Sequence, residues 1–176
     1  MKIPVIILTF ALLLFGCVHI SSELLPETQF DKTSQIAILP FVCNDVNIGT
    51  IIPYSMTQEL LKSNIKVVER TYLQSILREQ GLDLTGALQK VSLEKIGKLA
   101  DCDYLIVGSV ETYKLWYGFF PATVSCKMID IKTGSITWTG SFYQNIMSLD
   151  RLVAAEIGKR LAKELVNKVY KPETSH

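Results

Sequence analysis

Histidine is nearly missing from this chain: His19 stands near the start, His176 is the last residue, and no other occurs. A Ser–His or Cys–His nucleophile pair inside a folded core is thereby excluded. Glycine is sparse and never forms a phosphate-cradling loop, since Gly81 and Gly86 lack a following Lys-Ser or Lys-Thr. Neither sign of charge dominates, with 18 Lys plus Arg against 17 Asp plus Glu. That balance leaves no footprint for nucleic acid and no strong polybasic patch for anionic lipid. No CxxC occurs and no cysteine spacing suits zinc. Glu69, Glu79, Asp101, Asp103 and Glu111 fall at strand ends or on exposed helix faces, where solvated charges and local ion pairs are the default. The chain is therefore expected not to be an enzyme and to need neither metal nor cofactor.

Long apolar runs are also scarce, apart from "IPVIILTFALLLFG" behind Met1-Lys2. It is short for a membrane span, which takes about 20 residues, and has the length and flanks of a secretory h-region. It ends in Leu14-Phe15-Gly16-Cys17, which resembles a bacterial lipobox. The resemblance implies a signal peptide over 1–16, cut before Cys17, whose thiol then carries lipid. Two or three acyl chains hold a protein firmly at roughly 0.8 kcal/mol per buried CH₂, where one holds it marginally. Residue 18 is Val and not the Asp that retains such proteins at the inner membrane, so the expected place is the periplasmic face of the outer membrane. Residues 17–34 read as the acylated cysteine and a tether, reaching at most about 60 Å when stretched. Cys43, Cys102 and Cys126 remain, an odd set allowing at most one bridge. Each lies in or beside an apolar strand-like run, and buried, unbridged thiols are expected.

Strand signals come at 35–42, 65–69, 103–114, 122–131 and 135–144. The last two are joined by Lys132-Thr133-Gly134, with Gly134 suited to positive φ. Helical spacing connects Ile52, Met56, Leu60 and Leu61, with Pro53 placed in that helix's first turn. Two further helices are expected, from Thr71 to Gly81 and from Ser92, where Glu94 and Lys98 lie four apart. Leu149, Val153, Ile157, Leu161, Leu165 and Val169 form an i, i+4 row on a long terminal helix. The predicted fold is α/β, a three-layer-like sandwich of helices on a mixed sheet. Its last three strands form an antiparallel meander. One domain spans 35–170, followed by a tail, 171–176.

The blocks "IAILPF", "VVERTYLQSILREQG", "DCDYLIVGSV" and "MIDIKTGSITWTGSF" follow one another as in the curli-assembly lipoprotein (CsgG) family. That superfamily also holds the penicillin-binding-protein activator lipoproteins (LpoB), and the resemblance runs over residues 35 to about 170. It implies acylation at Cys17, an α/β domain and work by protein contact. A secretion pore of the curli type needs membrane hairpins of roughly 20 residues beyond the core. The gap "LWYGFFP" is too short for one, so the chain resembles a reduced member without membrane-inserting hairpins. The activator's long tether is not matched by 18–34 either.

The aromatic cluster Trp116, Tyr117, Phe119 and Phe120 crowds that connection. It is the candidate partner interface, weighed against a role as cover for the core edge. Glu69-Arg70 is expected to form a structural ion pair, and Lys159, Arg160, Lys163 and Lys168 a solvated face. The expected function is a lipid-anchored periplasmic module that binds an envelope protein in envelope assembly or cell-wall synthase regulation. The alternative is a subunit of an outer-membrane secretion complex, oligomeric but without its own membrane strands.

Overall fold

The computed structural model describes residues 19–25, 30, 33–69, 75, 90–112, 120–146 and 149–170. In chain order the elements are β1 (His19–Leu24), β2 (Gln35–Ile38), α1 (Val46–Lys62), β3 (Lys66–Val67), α2 (Lys90–Ala100), β4 (Tyr104–Thr112), β5 (Phe120–Asp130), β6 (Ile136–Ile146) and α3 (Arg151–Tyr170). The six strands form one sheet in the order β1-β6-β5-β4-β2-β3. β2 runs parallel to both β3 and β4, and β4, β5 and β6 make the expected antiparallel meander. Among the described residues no helix is long and apolar enough to cross a membrane.

Alternation along β2 sends Ile36 and Ile38 to one side and Ala37 and Leu39 to the other, so that strand is buried on both faces. On the first side α1 and α3 pack over Ile106, Val124, Met128, Trp138 and Phe142. On the second side Ile96 and Ala100 of α2 join Leu105, Ile129 and Ile131. Helices thus lie on both faces of a mixed sheet, the predicted α/β class.

Local chemistry sets the boundaries. Asp45 caps α1, its carboxylate accepting from the N–H groups of Asn47 (2.8 Å) and Ile48 (3.4 Å). Because the cap comes this early, Pro53 lies inside the helix and not in its first turn. A residue there would give its N–H to the Gly49 carbonyl; proline cannot. That carbonyl accepts instead from the N–H of Phe41 at 2.8 Å, so the proline frees an acceptor that ties strand to helix. Leu61, expected in the buried stripe, is 47% exposed, because α1 buries the Ile52–Met56–Leu60 line. α1 closes with Ser63 as its C-cap, followed by Asn64 in the left-handed region at φ 58°, and the Ile65 N–H returns to the Leu60 carbonyl. Asp150 caps α3 through the N–H groups of Leu152 and Val153. Of the terminal-helix row, Ile157, Leu161 and Leu165 are buried, and Leu149, Val153 and Val169 pack partly against them. At Gly158 an added Cβ would stand 2.3 Å from the Ile52 carbonyl oxygen, so glycine lets α3 lie directly on α1. The β5–β6 turn is as expected: Gly134 has φ +75°, and Asp130 accepts from the N–H of Thr133.

Two further expectations change, and a third lies outside the described residues. The expected tether is a strand over His19–Leu24, pairing antiparallel with β6 from His19↔Tyr143 to Leu24↔Trp138. Ile20 and Leu24 pack on the main core, and that apolar contact holds polar "HISSEL" in the sheet. Phe30 then stacks on Tyr104, centroids 4.9 Å apart. The helix expected from Ser92 begins at Lys90. The helix from Thr71 to Gly81, apart from helical Ser75, lies outside the described residues.

Candidate functional site

The described residues that flank the candidate interface lie at one end of the sheet. β4 ends at Thr112, opposite Ala122, and β5 opens at Phe120, opposite Ile146. The connection 113–119, with Trp116, Tyr117 and Phe119, therefore leaves from that end; these side chains, and that of Phe120, lie outside the described residues. β1 enters at the same end, because His19 pairs with Tyr143, which in turn pairs with Thr123. Cys17 is outside the described residues too, but only Val18 separates it from the first residue of β1. The strand ends that flank the candidate interface and the start of β1 thus lie at one end of the sheet.

The opposite end is a structural knot. Asp103 accepts the Gln35 N–H at 3.1 Å and meets Lys132 at 3.6 Å. Its carbonyl also accepts from Ile131. Glu111 lies eight residues along β4 from Asp103, roughly 27 Å at about 3.3 Å per residue. Those carboxylates are not brought together as an acid–base pair. Glu69 follows β3, and Glu79 and Arg70 lie outside the described residues. Of the basic residues on α3, Arg160 pairs with Glu156 (3.0 Å) and Lys163 meets Glu59 (4.0 Å).

Cys43, Cys102 and Cys126 are free. Burial pushes the Cys102 thiol up to about 12, with Asp103 and Asp101 adding to it. Burial likewise raises Cys126 to about 12, partly offset by a hydrogen bond with the Gly140 backbone. Protonated and enclosed, these two thiols are packing groups, not nucleophiles. Among the described residues no group of His, Cys, Asp and Glu could hold a metal.

One feature escaped the strand patterns. Ser109, Ser125, Ser141 and Ser21 stand in direct register across β4, β5, β6 and β1. They lie on the face away from α1 and α3, and Ser21 and Ser141 hydroxyls are 2.7 Å apart. Among the described residues no helix covers this part of the sheet. A depression of about 590 Å³ runs along it, lined by Pro40, Val42, Val107, Ser109, Lys127 and Ser141 among others. The signal was present as polar parity within each strand, but only the register aligns the four serines.

With the geometry in place, likeness to known proteins can be weighed. Residues 30–115 match the family model for the curli production assembly/transport component CsgG. Over that stretch the chain is similar to the CsgG family. Its fold is shared with lipoprotein GNA1162 of Neisseria meningitidis, at 14% identity, 76% of this chain, 99% of that one and TM-score 0.53. A PelC dodecamer subunit of Paraburkholderia phytofirmans aligns at 12% identity over 88% of this chain and 98% of that one, TM-score 0.50. The LpoB C-terminal domain of Salmonella enterica aligns at 14% identity over 65% and 84%, TM-score 0.47. No curated protein matches the sequence significantly. The seven positions between Thr112 and Phe120 are too few for the roughly 20 of a spanning hairpin.

Proposed function

We propose that this chain is a lipid-anchored, non-catalytic module that binds an envelope protein at the periplasmic face of the outer membrane. What supports the reading is a shared sheet end: β4 stops and β5 starts, on either side of the aromatic connection 113–119, at the end where β1 begins, two residues after Cys17. Acylation at Cys17 confines the domain to two dimensions and raises its effective concentration for a nearby partner. Because β1 begins at His19, the anchor holds the sheet itself close to the bilayer, and a partner gripped by Trp116, Tyr117, Phe119 and Phe120 is held there too. The lipoprotein likeness (GNA1162) supports an anchor. The dodecameric state of PelC supports a second reading, a subunit of an oligomeric secretion or transport complex.

Two measurements test this. Labelled palmitate should enter the protein and be lost in Cys17→Ser; continued labelling or unchanged membrane binding and processing would remove the anchor. In crosslinked envelopes, Trp116→Ser with Phe120→Ser should abolish capture of the partner while the circular dichroism stays native. Unfolding on that change would make the rings core cover instead.

A further inference from the structure

The two edges of the sheet are unequal. β3, at one edge, is two residues long and begins with Lys66, both devices that discourage further pairing. β1, at the other, is six residues long and pairs with β6 without a register shift. It contains no proline or lysine. Leu25 gives its N–H to the Thr137 carbonyl at 3.0 Å. Alternation along the strand therefore turns the N–H and C=O of Ile20, Ser22 and Leu24 away from β6. Among the described residues no strand takes them up. Such an edge is a template for another strand.

We propose that this edge seats a second copy of the chain, β1 against β1, antiparallel about a two-fold axis through Ser21. Opposed residues in an antiparallel pair share a face, so the register must match residues of equal parity. Centring on Ser21 sets each His19 opposite the partner's Glu23, twice over. Both are exposed on the open face, where an imidazole N–H can meet a carboxylate. Ile20 and Ser22 then exchange backbone bonds across the axis. Centring on Ser22 is worse. The Ser22 hydroxyl reaches Glu164 at 3.4 Å, so the axis would bring two Glu164 carboxylates together while Glu23 lost its partner. The axis stands perpendicular to the sheet, so both N-termini meet one bilayer when the sheet lies along it, and the contact is isologous.

Cysteine trapping in the full-length chain, in envelopes and in detergent, tests the register. Ser21 faces β6 with its backbone, which makes the Ser21–Ser21 pair non-hydrogen-bonded and close enough to bridge. Ser21→Cys should give a disulfide-linked dimer on mild oxidation, and Ser141→Cys should not. A dimer from Ser22→Cys in place of Ser21→Cys, or equal trapping at Ser141→Cys, would overturn the proposal. Light scattering tests the edge itself. Ser22→Pro removes an N–H that points away from β6 and should leave a folded monomer. Glu23→Ala should weaken the dimer roughly 2- to 30-fold, from two cross-strand pairs. A wild-type chain that stays monomeric at its highest soluble concentration, or one indifferent to both changes, would sink the idea.

Discussion

The two faces of the β4–β5–β6 meander carry opposite chemistry on the same backbone. Toward α1 and α3 stand Val124, Met128, Trp138 and Phe142, all 2% exposed or less. On the reverse stand Ser109, Ser125, Ser141 and Thr139, with Lys127 reaching solvent. Side-chain parity alone separates them. The first face carries folding free energy along its whole length, whereas the second does so only where α2 covers Leu105, Ile129 and Ile131. Serious losses of stability should map to those covered residues, and the serine-lined part of the second face should be separable from them.

The largest contrast is Trp138→Ala against Thr139→Ala, neighbours on opposite faces. Trp138 is fully buried and its ring lies against Gly140. Its removal should cost about 3–5 kcal/mol in chemical denaturation, while Thr139→Ala stays within about 0.5 kcal/mol. Equal costs would mean that the open face is covered by something that matters to folding. Among the described residues the indole Nε1–H has no hydrogen-bond partner, so Trp138→Phe should cost much less than area predicts, since it also removes an unsatisfied donor.

Next comes the helix layer. Gly158→Ala must push α3 away from the Ile52 carbonyl, with an overpacking cost of about 1–3 kcal/mol visible as a lower denaturation midpoint. A pH effect of similar size follows from Cys126. Its folded value of about 12 lies above the ordinary 9.0, so the folded state holds the proton more tightly. The stabilisation is complete below pH 9 and is lost as pH rises from 9 toward 12. At pH 10 wild type should have lost roughly 1.4 kcal/mol more than Cys126→Ala, relative to each at pH 8. Parallel pH profiles would show the thiol to be solvated.

Much of this division was legible beforehand, and the reason is periodicity. The α3 row, each strand of the meander and the Gly134 turn are written within about 20 consecutive residues or fewer, so local pattern sufficed. What failed depends on distant chain. "HISSEL" has too few apolar residues to announce a strand, and only pairing with β6, some 120 residues on, makes it one. Pro53 looked like a first-turn residue because the cap, Asp45, lies eight positions earlier and its carbonyl debt is met by Phe41. The candidate site was half legible: the aromatic cluster and Cys17 stood out as residue types, but that the strand ends next to them lie at one end of the sheet follows from register alone. The serine row was invisible for the same reason.

The smallest expected effect is the sharpest test of the open face. Ser125 is exposed, with Ser109 and Ser141 opposite it on either side. Ser125→Val improves strand propensity at a solvated position, so stability should shift by no more than about 0.5 kcal/mol, in either direction. Capture of the envelope partner should be unchanged, because the proposed contact is the aromatic connection beyond Thr112 and Phe120. Pairing through β1 should be unchanged as well, since Ser125 lies two strands in from that edge. If Ser125→Val instead removed capture from a folded protein, the partner would be reading the hydroxyl row, and the interface would move from the end of the sheet to its face.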